Sequence, residues 1–181
     1  MLAVFVDGAI DAAWGGNDYF AVYEGGADDV CSTGLLGDET CVSVDWEMVT
    51  DAERGDVLQV SYTGQNGFTY LFLGEANGVS VDLSDFETGT LSFDVKVISK
   101  GGAISLVVAL ENENQDRPFV SGFSIDESDK WLPFDLPIAE MTASGFDLSR
   151  VDVPFVLFPF PGANHLVYQL DNVRFESVAN P

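Results

Sequence analysis

The stretch of residues 166–175 constrains the fold more than any other part of the chain. Its sequence, Leu-Val-Tyr-Gln-Leu-Asp-Asn-Val-Arg-Phe, alternates apolar with polar residues, and a two-residue period predicts a β-strand with one face in a core. Asp171 and Asn172 lie between the two apolar halves of this strand. Because an unpaired charge is costly to bury, we expect Asp171 to have a partner in the folded protein.

Strand-like runs separated by Gly- and Asn-rich turns recur along the whole chain. The predicted strands are 2–7, 19–24, 42–49, 56–63, 68–73, 90–98, 103–110, 119–125, 131–138, 151–158 and 166–175. The run 103–110 is apolar on both faces, which predicts a central strand. Helical periodicity is nearly absent, with one short turn expected at 137–143 and one 3₁₀ turn at 82–86. This pattern predicts an all-β fold, an antiparallel β-sandwich of the jelly-roll type.

The length of 181 residues is that of one domain. We expect a single β-sandwich over residues 1–176 and the beginning of a tail or linker at 177–181. No stretch approaches the roughly 20 apolar residues of a membrane span, and no signal peptide opens the chain. If the protein is exported, we expect this sequence to be a module of a larger polypeptide behind an added Met1.

The charge balance excludes several classes of partner. Thirty acidic residues face seven basic ones, for a net charge of −23. Such a field repels phosphate backbones, so nucleic acid is excluded as a partner, and anionic membranes and anionic polysaccharides are disfavoured for the same reason. Neutral glycans carry no such penalty. The excess of carboxylates also suits a salty medium, in which their repulsion is screened, and indicates a marine or halophilic source.

The chain has two cysteines, Cys31 and Cys41, with glycines between them. An even number at short spacing is typical of a local disulfide in an extracellular protein. The alternative is a pair of reduced thiols in a cytosolic protein. A zinc site is not indicated, because no CxxC motif and no second histidine accompany them.

Short motifs spread over nearly the whole chain resemble one known group of proteins. They lie at 5–8, 14, 44–46, 54–58, 81–84, 89–94, 130–131, 136–137, 152–155 and 170–174. In this order they resemble the galactose-binding-like jelly-roll modules of marine bacterial β-glucanases, especially the C-terminal domain of family-3 exo-β-glucanases and related laminarinase-associated modules. The resemblance implies a β-sandwich that binds carbohydrate.

The resemblance also implies a structural calcium ion. In the resembling modules Ca²⁺ ties the N-terminal loop to the last strand, which places it near Asp7, Asp11 and Asp171 here. Carboxylates are suitable ligands for this hard cation. The alternative is a hydrogen-bonded turn in which Asp171 caps backbone amides.

Sugar recognition needs flat aromatic faces together with planar polar groups for the hydroxyls. The aromatic candidates are Trp14, expected to be exposed next to a loop, Tyr70, in the aromatic stripe of 68–72, and Trp131, after a charged turn. The polar candidates are Asn114, Arg117 and Gln169. Each has an alternative explanation: the three aromatic residues can fill a core, and residues 111–117 can form an ordinary solvated loop. Trp46 shares a face with other apolar residues and is expected in the core.

Catalysis is not indicated by the sequence. Asp45 and Glu47 would place two carboxylates on one strand face, as retaining glycosidases need, but the expected third acid is missing. No Gly-x-Ser-x-Gly motif and no Cys–His pair suited to nucleophilic attack is present. We therefore expect a non-catalytic module that binds a neutral β-glucan, with laminarin-like β-1,3-glucan as the first expectation, and that targets the catalytic domain of an attached glycoside hydrolase to polysaccharide. The alternatives are a structural domain that packs on a catalytic domain, and a jelly-roll glycoside hydrolase.

Overall fold

The computed structural model describes residues 1–16, 20–23, 30–33, 41–63, 70–73, 80–112, 114, 119–160 and 164–178. Within them it contains thirteen strands and one short α-helix. The strands are β1 (Leu2–Val6), β2 (Ala9–Ile10), β3 (Ala21–Tyr23), β4 (Val30–Thr33), β5 (Val44–Asp51), β6 (Gly55–Tyr62), β7 (Tyr70–Leu73), β8 (Thr90–Ser99), β9 (Ser105–Asn112), β10 (Phe119–Ser124), β11 (Trp131–Pro137), β12 (Val151–Phe160) and β13 (Val167–Glu176). The helix, α1, spans Ile138–Thr142.

The last strand, β13, organises the first of two antiparallel sheets. Strand β8 pairs with β13 along nearly its whole length. The other edge of β13 is shared, because β6 pairs with its first half and β1 with its second half. Between the two halves Asn172 has a φ of 56°, a left-handed conformation that asparagine tolerates better than most residues. The bulge at the Asp-Asn pair therefore lets two strands use one edge. Strands β11, β5 and β2 complete this seven-stranded sheet.

The second sheet has the strand order β10-β9-β12-β7-β3-β4. Strand β9 lies between β10 and β12, so the prediction of a central strand at 103–110 is confirmed. The register of β12 against β9 shifts twice before Val156. These irregularities change which side of the sheet the first residues of β12 face: Val153 belongs to a second apolar cluster, whereas Val151 and Phe155, each two residues away from it, belong to the main core.

The main core lies between the two sheets. Phe93 of β8 and Phe155 of β12 meet there, with their ring centroids 5.2 Å apart. Trp46 of β5 is buried in the same core, which confirms the prediction for this residue. The sandwich of two sheets confirms the predicted all-β, jelly-roll fold.

The expectation of an exposed Trp14 is wrong. Asp11 caps the one-turn 3₁₀ helix Ala12–Trp14 by accepting a hydrogen bond from the backbone N–H of Ala13. This turn directs the indole inward, and Trp14 is 0% exposed. The indole Nε1–H donates a hydrogen bond to the carbonyl oxygen of Ala3 at 2.9 Å, and the ring packs near Phe175. Trp14 is thus a core residue and offers no face to a sugar.

The predicted strands are all found, with their ends within two residues of the expected positions. The short strands β2 and β4 are additional to the prediction. The helical turns at 137–143 and 82–86 are present as α1 and as a 3₁₀ helix at Ser84–Phe86. Further 3₁₀ turns occur at Ala12–Trp14 and Leu148–Arg150. Among the described residues, no helix is long and apolar enough to cross a bilayer.

Candidate functional site

A second apolar cluster lies on the side of the second sheet that faces away from the main core. It consists of Val107, Ala109, Val153, Val156 and Phe158, whose exposures range from 0 to 7%, and we call it the outer strip. Its members alternate along β9 and β12 with residues of the main core. An antiparallel sheet normally shows polar residues on the side that no second sheet covers. At these low exposures the side chains of the cluster are covered by other residues, so a ligand can reach this face only where the cluster ends.

The outer strip has different chemistry at its two ends. At one end Glu111 lies opposite Val153 in the register. At the other end the regular pairing continues from Phe158 to Phe160, which lies opposite Ser105. Because side chains two apart on a strand share a face, Phe160 extends the strip. Phe160 is 52% exposed, so it is the accessible end of an otherwise buried apolar cluster.

The strand that carries Tyr70 borders the outer strip. Strand β7 pairs directly with β12, with Phe72 opposite Val156, and Tyr70 lies opposite Tyr23 on β3. The side chain of Tyr70 lies outside the described part of the structure. The backbone therefore places Tyr70 beside the strip, and its contact with a ligand stays a prediction.

The loop after β9 is described only in part. Asn114 is exposed, and its backbone N–H donates to Oδ1 of Asn112 at 3.0 Å, close to the end of the strip that carries Glu111. Arg117 lies outside the described residues. The roles of Asn114 and Arg117 in ligand binding stay predictions.

The outer face of the first sheet is polar. One residue from each of five neighbouring strands forms a row in register: Glu47, Gln59, Gln169, Lys96 and Trp131. Gln169 donates to Gln59 at 3.1 Å, and Gln59 donates to Glu47 at 2.9 Å. Gln169 is only 8% exposed. Its hydrogen bond to Gln59 links two strands of this face, and its role in ligand binding stays a prediction.

Trp131 is held at the end of this row by the turn between β5 and β6. Its Nε1–H donates to Oδ1 of Asp51 at 3.2 Å, and the guanidinium of Arg54 lies 5.4 Å from the ring centroid, within range of a cation–π interaction. Asp51 also pairs with Lys96 at 3.0 Å, and Arg54 pairs with Asp94 at 2.8 Å. These contacts hold the turn against β8 and β11, so Trp131 has a structural role, and its contact with a ligand stays a prediction.

The electrostatics of this turn favour charged Asp51 and Lys96. The backbone N–H of Glu53, followed by the hydrogen bonds from Lys96 and Trp131, lowers the pKa of Asp51 to about 2 against the opposing effect of burial. The hydrogen bond to Asp51 raises the pKa of Lys96. The two groups therefore remain an ion pair over the ordinary pH range.

The six predicted ligand residues do not form one site. Trp14 is in the main core, whereas Trp131 and Gln169 lie on the outer face of the first sheet. Tyr70 and Asn114 belong to the second sheet and the loop that follows one of its strands. The hydrophobic core separates these two outer faces, so residues of both cannot contact one short ligand.

Asp171 is buried where β1, β6 and β13 meet. It is 2% exposed and its Oδ1 has no hydrogen-bond partner in the structure. Burial raises the pKa of Asp171, and the charges of Asp7 and Asp94 add to this effect, while the backbone N–H of Asn172 and the charge of Arg54 oppose it. An unpaired buried carboxylate oxygen near a second carboxylate fits a bound cation.

The predicted calcium ligands are gathered only in part. Asp7 is close enough to Asp171 to affect its pKa, whereas the exposed Asp11 uses Oδ1 to cap Ala13. Among the described residues, no group of three or more His, Cys, Asp or Glu side chains is placed to hold a metal. The calcium site at Asp7, Asp11 and Asp171 stays a prediction.

The sequence patterns above do not mark Val156, Phe158 and Phe160 as candidates. The sequence does contain a signal for an apolar outer face, because residues 151–160 are as apolar on both faces as the central strand β9. The two register shifts in β12 hide the alternation that assigns its residues to one face or the other. The predicted end of the strand at Phe158 also leaves Phe160 outside it.

Several solved structures with similar folds are carbohydrate-binding modules or parts of glucanases. The family 30 module of the cellulosomal cellulase Cel9D-Cel44B of Clostridium thermocellum is 16% identical, with a TM-score of 0.65 over 99% of this chain and 98% of that one. The family 11 module of Clostridium thermocellum, in complex with a β-1,3-1,4-mixed-linked tetrasaccharide, is 17% identical, with a TM-score of 0.56 over 90% and 91%. The extra C-terminal domain of the exo-1,3/1,4-β-glucanase ExoP of a Pseudoalteromonas species is 10% identical, with a TM-score of 0.58 over 97% and 92%.

At these identities the structural likenesses show the fold alone. A comparison of the sequence with curated proteins finds no match. The family is shown by a sequence model, that of carbohydrate binding domain 30, which matches residues 4–177. The chain therefore belongs to the carbohydrate binding domain 30 family.

Proposed function

We propose that the outer face of the second sheet binds a neutral β-glucan at the exposed Phe160, with a laminarin-like β-1,3-glucan as the first candidate ligand. The observation that carries this proposal is Phe160, a half-exposed aromatic residue at the accessible end of the buried outer strip. An exposed aromatic ring suits the C–H face of a pyranose ring.

Two further facts support a neutral glucan. The net charge of −23 disfavours anionic polysaccharides. The family 11 module with a similar fold is complexed with a mixed-linkage glucan fragment, and the ExoP domain comes from an enzyme named for 1,3/1,4-β-glucans. Laminarin and mixed-linkage glucan are therefore the first ligands to compare.

The module has no catalytic role in this proposal. It is extracellular and attached to a glycoside hydrolase, and its binding raises the effective concentration of the catalytic domain at the polysaccharide. Asp45 and Glu47, the carboxylates considered for catalysis, are both exposed on the outer face of the first sheet. That face is opposite to the outer strip.

Affinity gel electrophoresis tests the proposal, with laminarin, mixed-linkage glucan, a soluble cellulose derivative, xylan and agarose in separate gels. We expect retardation by at least one β-glucan, an effect that Phe160→Ala weakens and Trp131→Ala leaves intact. Circular dichroism of both variants checks that they are folded. Retardation lost only with Trp131→Ala would move the site to the first sheet. No retardation by any glycan would contradict the proposal and favour a domain that packs on its neighbour.

We also propose a structural Ca²⁺ that is bound by Asp171 and Asp7, with Asp11 as the further ligand. The buried Oδ1 of Asp171 without a hydrogen-bond partner supports it. We expect Ca²⁺ to raise the melting temperature relative to EGTA-treated protein, and Asp171→Asn to abolish this difference. An equal melting temperature in Ca²⁺ and EGTA, with no heat of Ca²⁺ binding in calorimetry, would contradict it.

A disulfide between Cys31 and Cys41 completes the proposal of an extracellular module. Cys41 is partly buried and packs against the main core, and the side chain of Cys31 lies outside the described residues. Mass spectrometry after alkylation, with and without prior reduction, tests the pairing. Alkylation of either cysteine without reduction would contradict it.

A further inference from the structure

We infer that the β8–β9 turn, residues 100–104, positions Phe160 for glucan binding, and that Glu127 is the side chain that holds this turn in place. In this role Glu127 touches no ligand and acts only through the backbone of the turn, so it is a positioning residue. The inference rests on the proposed function, because it concerns the residue on which that proposal depends.

Phe160 is bonded to the β8–β9 turn through its backbone. It is the last residue of β12 and lies opposite Ser105 of β9. Because it is 52% exposed, fewer side-chain contacts fix it than would fix a core residue. Its carbonyl oxygen accepts a hydrogen bond from the backbone N–H of Ile104, the last residue of the turn, at 3.1 Å. The position of Phe160 therefore depends on where the turn lies.

The same turn also holds the backbone that precedes β13. Gly102 donates its N–H to the carbonyl oxygen of Asn164 at 2.8 Å, and a Cβ on Gly101 would lie 2.0 Å from that oxygen. Phe160 and Asn164 stand on the two sides of the connection between β12 and β13. A displacement of the turn therefore disturbs the chain on both sides of this connection.

The turn is itself held at both ends. Near its last residue, Ala103 is 1% exposed and packs in the main core. At its first residue, the backbone N–H of Lys100 donates to Oε1 of Glu127 at 2.7 Å. Glu127 belongs to the connection between β10 and β11, from which Ile125 donates its N–H to the carbonyl oxygen of Ile104 at 3.3 Å. Since a hydrogen bond to a carboxylate is stronger than one between neutral groups, Glu127 is the main side-chain support of the turn.

Support of this kind contributes to affinity without a contact to the sugar. An aromatic residue that is held in place before the ligand arrives loses less conformational entropy on binding, and a binding site depends on the residues that support it. Glu127 is exposed, so its truncation leaves no cavity in the core and should cost little stability. A loss of affinity without a comparable loss of stability is therefore the signature of positioning.

Isothermal titration calorimetry with laminarihexaose and cellohexaose tests the role of Glu127. Glu127→Ala should weaken the binding of a hexaose that wild type binds by roughly two- to fivefold, the size of one hydrogen bond. Its melting temperature should stay within about 2 °C of wild type. Glu127→Gln keeps an acceptor oxygen at the same place and should retain most of the affinity.

Amide hydrogen exchange, followed by NMR, gives a second readout that needs no ligand. The backbone N–H groups of Gly102 and Ile104 should exchange faster in Glu127→Ala than in wild type, because the turn opens more often. Glu127→Gln should exchange at a rate close to that of wild type.

The matched control is Asp126→Ala. Asp126 is the neighbour of Glu127 and pairs with Nζ of Lys100 at 3.7 Å, but its side chain is 90% exposed. This variant removes the same charge from the same connection and leaves the backbone hydrogen bond of Lys100 intact. We expect its affinity and its hydrogen exchange to equal those of wild type.

Two results would overturn the inference. One is wild-type affinity, or wild-type exchange at both Gly102 and Ile104, in Glu127→Ala. The other is an equal loss of affinity in Glu127→Ala and Asp126→Ala, which would assign the effect to charge. Wild-type protein that binds neither hexaose would refute the proposed function, and this role in glucan binding with it, even if the exchange measurement confirmed the contacts of the turn.

Discussion

At the scale of single residues, Asp51 joins three separate parts of the first sheet. Its carboxylate accepts hydrogen bonds from the backbone of its own turn, from Lys96 on β8 and from Trp131 on β11. The side chain of Asp51 is only 7% exposed, so solvent screens these contacts less than it would at the surface. Asp51 therefore stabilises the fold through charge-assisted hydrogen bonds.

Replacing Asp51 by asparagine should lower the free energy of unfolding by about 1–3 kcal/mol at pH 7, because the hydrogen bonds to charged groups are lost. Since the pKa of Asp51 falls from 3.8 to about 2 on folding, its stabilising effect is complete above about pH 5 and is lost as the pH falls to 2 and below. The free energies of unfolding of wild type and variant, measured by urea denaturation, should therefore converge as the pH is lowered over this range.

The control for this prediction is Asp129→Asn. Asp129 also pairs with Lys96, at 3.4 Å, but its side chain is 85% exposed. Exposed ion pairs contribute little to stability. The free energy of unfolding of this variant should therefore stay close to that of wild type at both pH 7 and pH 2. A difference between Asp51→Asn and wild type that stayed constant from pH 7 to pH 2 would contradict the role of the Asp51 charge.

At the scale of elements, the turn between β8 and β9 packs tightly against the turn that precedes β13. Gly101 has a φ of 54°, and a Cβ at this position would lie 2.0 Å from the carbonyl oxygen of Asn164. The backbone of Gly102 donates to that same oxygen at 2.8 Å. Close approach and positive φ together explain why glycine occupies position 101.

Gly101→Ala should be strongly destabilising, by about 2 kcal/mol or more, because backbone atoms must move to accept the methyl group. Gly102→Ala is the matched control: its Cβ would have no neighbour closer than 3.8 Å, and we expect a change of about 0.5 kcal/mol or less. Thermal unfolding followed by circular dichroism compares the two. Equal melting temperatures would show that the turns do not pack as the structure describes.

At the scale of the whole molecule, the net charge of −23 opposes the compact state. Repulsion between carboxylates extends over about 10 Å at 0.1 M salt and about 3 Å at 1 M. The described residues contain few ion pairs to offset it, because the chain has only seven lysines and arginines. Salt should therefore stabilise the protein by screening the repulsion.

The melting temperature at pH 7 should rise by about 2–8 °C between 0.05 M and 1 M NaCl, which corresponds to roughly 1–2 kcal/mol for a chain of this size. Near the isoelectric point of about 4.1 the net charge vanishes, and we expect the salt dependence to vanish with it. A melting temperature that fell with salt at pH 7 would mean that the attractive ion pairs outweigh the repulsion.

The class of fold is already specified by local patterns along the chain. Alternation and turn residues are local signals, so they predict the strands, the central position of β9 and the core position of Trp46. The faces of β12 and the burial of Trp14 depend on tertiary packing instead. Two register shifts assign the β12 residues to their sides of the sheet, and a single 3₁₀ turn directs the indole inward.

The candidate site also depends partly on local patterns and partly on tertiary packing. The sequence points to Tyr70, whose strand borders the outer strip, but it groups this residue with Trp131 and Gln169, which lie on the opposite face. Alternation predicts which residues of one strand share a side, and it cannot predict which strands share a sheet. That assignment depends on long-range pairing, such as the shared edge of β13, because the pairing decides which side chains meet on one surface.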